Sequence, residues 1–209
     1  MWVPMDVVAH RAGNTVDAAH AALGNVDMIE LDVHVLRGRV EVRHEKVLHP
    51  TRRLWEKWYL LPRGARGVPI EDVLDVVEYT TPLMIDLKCF TRRSALLVRE
   101  VIPREQPIVA SSRSWWILEV FADRPNTRTL RSCGSAWQLW WALHRSRFDE
   151  RQGVSVHERR LTPAVIAGLQ ERTGIVYTWG VTTTERCEEL VQAGVSGMIL
   201  DDYSIARAF

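Results

Sequence analysis

The chain has 209 residues, 46% of them hydrophobic and 25% charged, enough for one sizeable core and unlike a disordered segment. Twenty-seven basic against 26 acidic side chains leave a formal charge of +1, which excludes nucleic-acid binding driven by an overall basic field. Cys89, Cys133 and Cys187 are odd in number and widely spaced, which suits reduced thiols, and neither a membrane-length apolar run nor a signal-peptide layout is present. The expectation is a single cytoplasmic domain over residues 1–209.

In chain order, Asp6 to Ala9 reads as a strand, Val16 to Leu23 as a helix and Met28 to Val35 as a strand, with Val40 to Arg43 its hairpin partner or a short extension. Then come a helix from Ile70 to Glu78, a strand from Leu83 to Leu87, a helix from Ser94 to Val101 and a strand from Pro107 to Ala110. Trp115 to Ala122 is helical, Thr127 to Arg131 a strand, Ala136 to Arg145 a helix, Val154 to Val156 a strand and Pro163 to Arg172 a helix. The last units are Val176 to Trp179, Thr184 to Ala193 and Met198 to Asp201. This alternation predicts an α/β protein, a compact (β/α)8 TIM barrel; the rival open doubly wound sheet lacks a GxGxxG turn after any strand. Trp137, Trp140 and Trp141 lie at helical spacing and read as barrel packing.

Residues 37–66 break the rhythm, with nine Lys or Arg, three Asp or Glu and the apolar centre Trp55, Trp58, Tyr59, Leu60 and Leu61. This basic-aromatic insertion is expected over one mouth of the barrel, either as a solvated loop or as a lid for an anionic substrate with an apolar tail.

Barrel enzymes gather their reactive groups at the carboxyl ends of strands. His10 and Arg11 end the first strand, and Glu30 and Asp32 lie two apart in the second, so both carboxylates point to one face. His44 and Glu45 follow Arg43, and Asp86 and Lys88 repeat the two-apart spacing. Acids inside apolar strands need a cation or hydrogen bonds. Either Glu30, Asp32 and Asp86 hold a metal, with hard oxygens favouring Mg2+ or Ca2+ over zinc, or they pair with Arg11 and Lys88. His34 shares their face by alternation and reads as a core or supporting histidine; His20, His49, His144 and His157 read as ordinary. Asp201 and Asp202 either orient groups at the rim or cap the last turn.

These residues resemble the glycerophosphodiester phosphodiesterase family of metal-dependent barrels, which is related to spider-venom phospholipase D. The resemblance is carried by His10-Arg11-Ala12-Gly13-Asn14-Thr15, Glu30-Leu31-Asp32-Val33, Val42-Arg43-His44-Glu45 and Ile85-Asp86-Leu87-Lys88. It continues in Val68 to Leu74, Thr178-Trp179-Gly180-Val181 and Ala193 to Asp202, and so covers nearly the whole chain. It implies metal ligation by Glu30, Asp32 and Asp86, acid-base work by His10 and His44, phosphate binding by Arg11 and Lys88, and a substrate pocket lined by Trp179. The implied activity is metal-dependent hydrolysis of a small phosphodiester, giving a phosphomonoester and an alcohol, with only transient contact at a membrane surface. Two other readings use the same residues: phospholipase D-like cleavage of a lysophospholipid, with a cyclic phosphate as one product route, and a degenerate barrel that binds phosphate without turnover.

Overall fold

In the computed structural model, which describes residues 5–48, 53–56, 59–62 and 65–206, the β-branched runs become strands and the stretches led by Ser or Thr become helices. The order is β1 (Asp6–Ala9), α1 (Val16–Ala22), β2 (Met28–Leu36), β3 (Arg39–Val42), β4 (Lys46–Leu48), β5 (Arg53–Glu56), β6 (Tyr59–Leu60), β7 (Val68–Pro69) and α2 (Ile70–Leu74). It continues with β8 (Leu83–Leu87), α3 (Arg92–Val101), β9 (Ile108–Ser112), a 3-10 helix (Trp115–Phe121), β10 (Thr127–Cys133) and α4 (Ala136–His144). The remainder is β11 (Gln152–His157), α5 (Pro163–Thr173), β12 (Val176–Trp179), α6 (Thr184–Gln192), β13 (Gly197–Leu200) and a short 3-10 turn (Tyr203–Ala206).

Helix starts are chemically marked. Thr15, Thr91, Ser135, Thr162 and Thr183 each accept a hydrogen bond from the backbone N–H three residues on, caps worth about 1 kcal/mol apiece. Pro69 and Ser114 supply no such cap: α2 ends at Leu74, short of the expected Glu78, and Trp115–Phe121 winds as 3-10.

Eight strands pair in parallel in the order β1, β2, β8, β9, β10, β11, β12, β13, and β13 returns to β1 with Asp6 opposite Gly197 and Ala9 opposite Leu200. The sheet is the expected closed barrel. Val8, Met28, Met84, Val109, Leu130, Tyr177 and Ile199 form one buried cluster along its axis. Their neighbours in sequence, such as Ile29, Leu31, Ile85, Val154 and Val156, belong to the layers under the helices. With period two fixed by that alternation, Glu30, Asp32 and Asp86 face the barrel interior above the axial cluster.

Arg37 and Gly38, with φ of 55° and 79°, form the two-residue turn that folds β3 antiparallel onto β2. Val40 to Arg43 is thus a hairpin partner, and β3 in turn pairs with β7. The insertion adds a separate antiparallel sheet, β4-β5-β6. Its Leu54 is buried and the Lys46 ammonium sits 5.6 Å from the Trp55 ring centroid, while Tyr59 and Leu60 are exposed; Trp58 and His49 lie outside the described residues. The described part of the insertion flanks a cleft of about 1460 Å³ closed on its far side by Leu97, Glu100 and Val101 of α3, and none of the three acids lines that cleft.

The tryptophan run also departs from expectation. Trp137, Trp140 and Trp141 are 63%, 39% and 42% exposed, with Trp137 and Trp140 stacked at 4.9 Å between centroids. The spacing that aligns them puts Leu139 and Ala142 on the opposite face of α4, and those two are buried instead. All three cysteines are buried free thiols. Among the described residues no helix is long and apolar enough to cross a membrane.

Candidate active site

At the end of β1 the backbone turns sharply. Arg11 adopts a left-handed conformation, φ 57° and ψ 10°, uncommon for a side-chain-bearing residue and a strain that the surroundings must hold. The turn aims its backbone N–H at Glu30, whose Oε2 accepts at 2.6 Å. Three residues on, Asn14 clamps Asp32 from two sides: its Nδ2 donates to Asp32 Oδ2 at 3.0 Å and its Oδ1 accepts from the Asp32 N–H at 2.8 Å.

Parallel register sets Asp32 of β2 beside Asp86 of β8, and one carboxylate oxygen from each of Glu30, Asp32 and Asp86 lies within 4.8 Å of the others. Lys88 reaches into this group, bonding to Asp32 Oδ1 at 2.7 Å and to Asp86. The Arg11 Nε stands 3.7 Å from Asp32. Pairing with Lys88 and Arg11 therefore accounts for Asp32 and Asp86, but among the described residues Glu30 forms no ion pair.

The protonation equilibria follow that asymmetry. Burial, then the charges of Asp32 and Asp86, hold the Glu30 carboxyl well above the usual carboxylate range. Burial opposes the Asp32 charge as well, but the Lys88 ammonium and the hydrogen bonds from Lys88 and Asn14 outweigh it and leave Asp32 below its ordinary value. For Lys88 burial is likewise outweighed by Asp86 and Asp32, which raise it. Three hard oxygen donors, one of them crowded by two like charges and lacking a counter-ion, suit a divalent cation: it would deprotonate Glu30 and remove the repulsion.

His10 lies on the same rim. Its Nδ1 is 2.7 Å from Asp201 Oδ1, just past the end of β13, so Asp201 orients the ring rather than capping the last turn. Burial lowers the His10 pKa, and the Asp201 hydrogen bond partly restores it. His44 follows β3, close enough to His34 to lower the latter's pKa. His34 faces the same interior as the acids; its Nε2 is buried without a hydrogen-bond partner, and burial together with Arg43 pushes its pKa down to about 3. Both effects favour the neutral ring. Trp179 ends β12 at the rim, with its ring centroid 4.3 Å from that of His157.

Two residues of this rim were not singled out by the residue patterns, Asn14 and His157, whereas the rim-orienting alternative for Asp201 matches its hydrogen bond to His10. The signal for His157 was available, since Val154 and Val156 are apolar and alternation turns Ser155 and His157 inward. Asn14 carried only a motif match, and its two bonds to Asp32 depend on the Arg11 turn.

A closed parallel barrel with acids and imidazoles gathered at its carboxyl ends is a (β/α)8 barrel with a polar, charged rim. Its particular likeness is to glycerophosphodiester phosphodiesterases. The enzyme from Thermotoga maritima matches at TM-score 0.68 and 18% identity over 97% of both chains. A phosphodiesterase from Oleispira antarctica in complex with the product sn-glycerol-3-phosphate matches at TM-score 0.70 and 17% identity over 99% of this chain and 96% of its own. The enzyme from Agrobacterium tumefaciens matches at TM-score 0.66 and 18% identity over 97% and 99%. No family model and no curated protein sequence matches the chain. The fold is thus that of the glycerophosphodiester phosphodiesterases.

Proposed function

We propose that the chain is a single-domain phosphoric diester hydrolase acting on a glycerophosphodiester or a comparable small diester, with a divalent cation, Mg2+ or Ca2+, held by Glu30, Asp32 and Asp86. The observation that carries the reading is the meeting of those three acids within 4.8 Å on the rim that also holds an aspartate-anchored imidazole. The structural neighbours, one of them bound to sn-glycerol-3-phosphate, support the same chemistry.

A bound cation supplies Lewis-acid neutralisation of the anionic phosphorus. Arg11, with its guanidinium at the same rim, and Lys88 bind non-bridging phosphate oxygens. The Asp201 carboxylate keeps a proton on His10 Nδ1, so Nε2 presents its lone pair and takes the proton of the attacking hydroxyl. The lowered pKa of His10 keeps that ring neutral near pH 7, the form a base requires. His44 serves as the acid that protonates the leaving alkoxide, and Trp179 lines the side where the alcohol departs.

The test is a screen of small phosphodiesters and a lysolipid with and without chelator, read by product mass so that a cyclic phosphate is visible. Turnover that needs a divalent cation, and falls by about 10²–10⁴-fold in His10→Ala and His44→Ala, is the expected result. Turnover indifferent to both histidines would remove them from the reaction.

A further inference from the structure

The face that α4 turns away from the barrel is a plate of indole rings. Leu139 and Ala142 hold the helix to the wall, and the outward positions i, i+3 and i+4 carry Trp137, Trp140 and Trp141. Trp137 stacks on Trp140 at 4.9 Å between centroids, Trp141 leans on the two at 5.6 and 6.2 Å, and His144 continues the row 5.3 Å beyond Trp140. At about 250 Å² per indole, their exposed fractions leave roughly 360 Å² of contiguous aromatic surface. The adjoining α5 extends it with exposed Pro163, Ala164 and Ala167, none of them charged. An apolar patch of this size at the surface marks a place of contact.

The fringe of the plate is basic. From Gly134 to Phe148 the chain carries no acid, and exposed Arg145 and Arg147 follow His144 at the end of α4. At the other end Gln138 Nε2 donates to the Arg113 carbonyl at 3.1 Å, which sets that exposed arginine beside the start of the helix. Arg172 of α5 donates to the Ser146 carbonyl at 2.6 Å. Asp149 is turned aside, accepting from the Arg151 N–H and from Gln152 Nε2, so the four arginines face only the exposed Glu150 and Glu171. A second copy of the chain does not suit this face, because a stable dimer hides about 800 Å² on each partner, roughly twice the plate. A bilayer surface needs no matching shape. Indole rings settle at the headgroup level, where their apolar bodies and polar N–H groups are both accommodated, and anionic lipid attracts the basic fringe.

We propose that the outer face of α4 docks the barrel on the surface of an anionic phospholipid bilayer, with Trp137, Trp140 and Trp141 at headgroup depth and Arg113, Arg145 and Arg147 against lipid phosphates. Three rings already packed on one another lose little side-chain freedom on contact. Because α4 belongs to the outer ring of helices, docking occupies the flank of the barrel and leaves its mouth uncovered. The contact needs neither the three acids nor His10, and it stands independently of the phosphodiesterase reading.

The experiment is co-sedimentation with vesicles of phosphatidylcholine alone and of phosphatidylcholine mixed with phosphatidylglycerol. The expected result is partitioning onto both, tighter on the anionic mixture, with added salt narrowing the difference. Replacing the three indoles together, Trp137→Gln with Trp140→Gln and Trp141→Gln, should lower the partition coefficient at least about tenfold on both, a loss that dehydration of only about 55 Å² of the plate accounts for. Arg145→Glu with Arg147→Glu should cost at least about fivefold per residue on the anionic vesicles and little on the neutral ones. Circular dichroism checks the fold of each variant, and size-exclusion chromatography with light scattering reads its oligomeric state. Absence of partitioning by the folded wild type, an unchanged coefficient in the triple variant, or an anionic preference that survives the charge reversal overturns the proposal. A wild-type dimer that the triple variant separates assigns the face to a second copy and overturns it as well.

Discussion

Replacing Glu30 by glutamine should stabilise the cation-free protein and abolish its stabilisation by divalent cations. Two carboxylates 4.8 Å apart repel by about 3.5 kcal/mol at an effective dielectric constant of ~20. Glu30 meets two such neighbours, and Lys88, bonded to Asp32 and Asp86, offsets about one of them. The residual is on the order of 3 kcal/mol, borne by a side chain that is almost wholly buried. Because the folded pKa of Glu30 is raised, its favourable contribution is fully present below the unfolded value near 4.5 and is lost as pH rises through the folded one. Wild type without cation should therefore lose stability as pH climbs above the unfolded value and through the raised folded one. Glu30→Gln should lack this component of the slope, and its carbonyl oxygen can still accept from the Arg11 N–H. A cation at a hundred times its Kd adds about 2.7 kcal/mol, or roughly 5–10 °C in Tm for a chain of this length. Thermal unfolding followed by circular dichroism at several pH values, with chelator, Mg2+ or Ca2+, reads all three effects. Identical pH slopes in the two proteins, with neither responding to cations, would refute the reasoning.

The same raised carboxyl predicts that cation binding releases protons and tightens as pH rises toward the Glu30 pKa; calorimetry in buffers of different ionisation enthalpy measures the release. Asp201→Asn should lower kcat/KM about 10- to 100-fold and move the acidic limb of the pH profile down, because the bond that raises the His10 pKa is weakened; an unmoved limb would remove Asp201 from its orienting role. Gly197→Ala sets a methyl 2.7 Å from the Tyr177 ring, which is tied to Asp6, and should cost about 1–3 kcal/mol, seen as a lower urea midpoint at unchanged m. Trp140→Gln should change stability by no more than about 0.5 kcal/mol, since the side chain packs on solvent rather than on the barrel; a loss of several kcal/mol would show that the face is load-carrying.

The barrel was legible because its strands are short β-branched runs between Ser- or Thr-capped helices, and both signals are local. Asp6–Ala9, Leu83–Leu87 and Val176–Trp179 coincide with their predicted bounds. The meeting of Glu30, Asp32 and Asp86 was legible for a related reason, since two-residue spacing fixes a face and consecutive barrel strands bring the faces together. What sequence spacing could not supply was contact across the closure, as between His10 and Asp201, or the direction of an amphipathic face rich in aromatics. Helical spacing alone placed Trp137, Trp140 and Trp141 against the barrel, yet it is Leu139 and Ala142 that the helix buries. Charge in the insertion did not choose between a solvated loop and a lid; the Arg37-Gly38 turn starts the segment along the β2 hairpin, and its described part lines a cleft shared with α3.

The seam between β1 and β13 joins positions 191 apart in sequence through His10 and Asp201. The three acids all lie within the first 86 residues, whereas the carboxylate that holds the His10 ring arrives with the last strand, so the orientation of that ring waits for β13 to pair with β1.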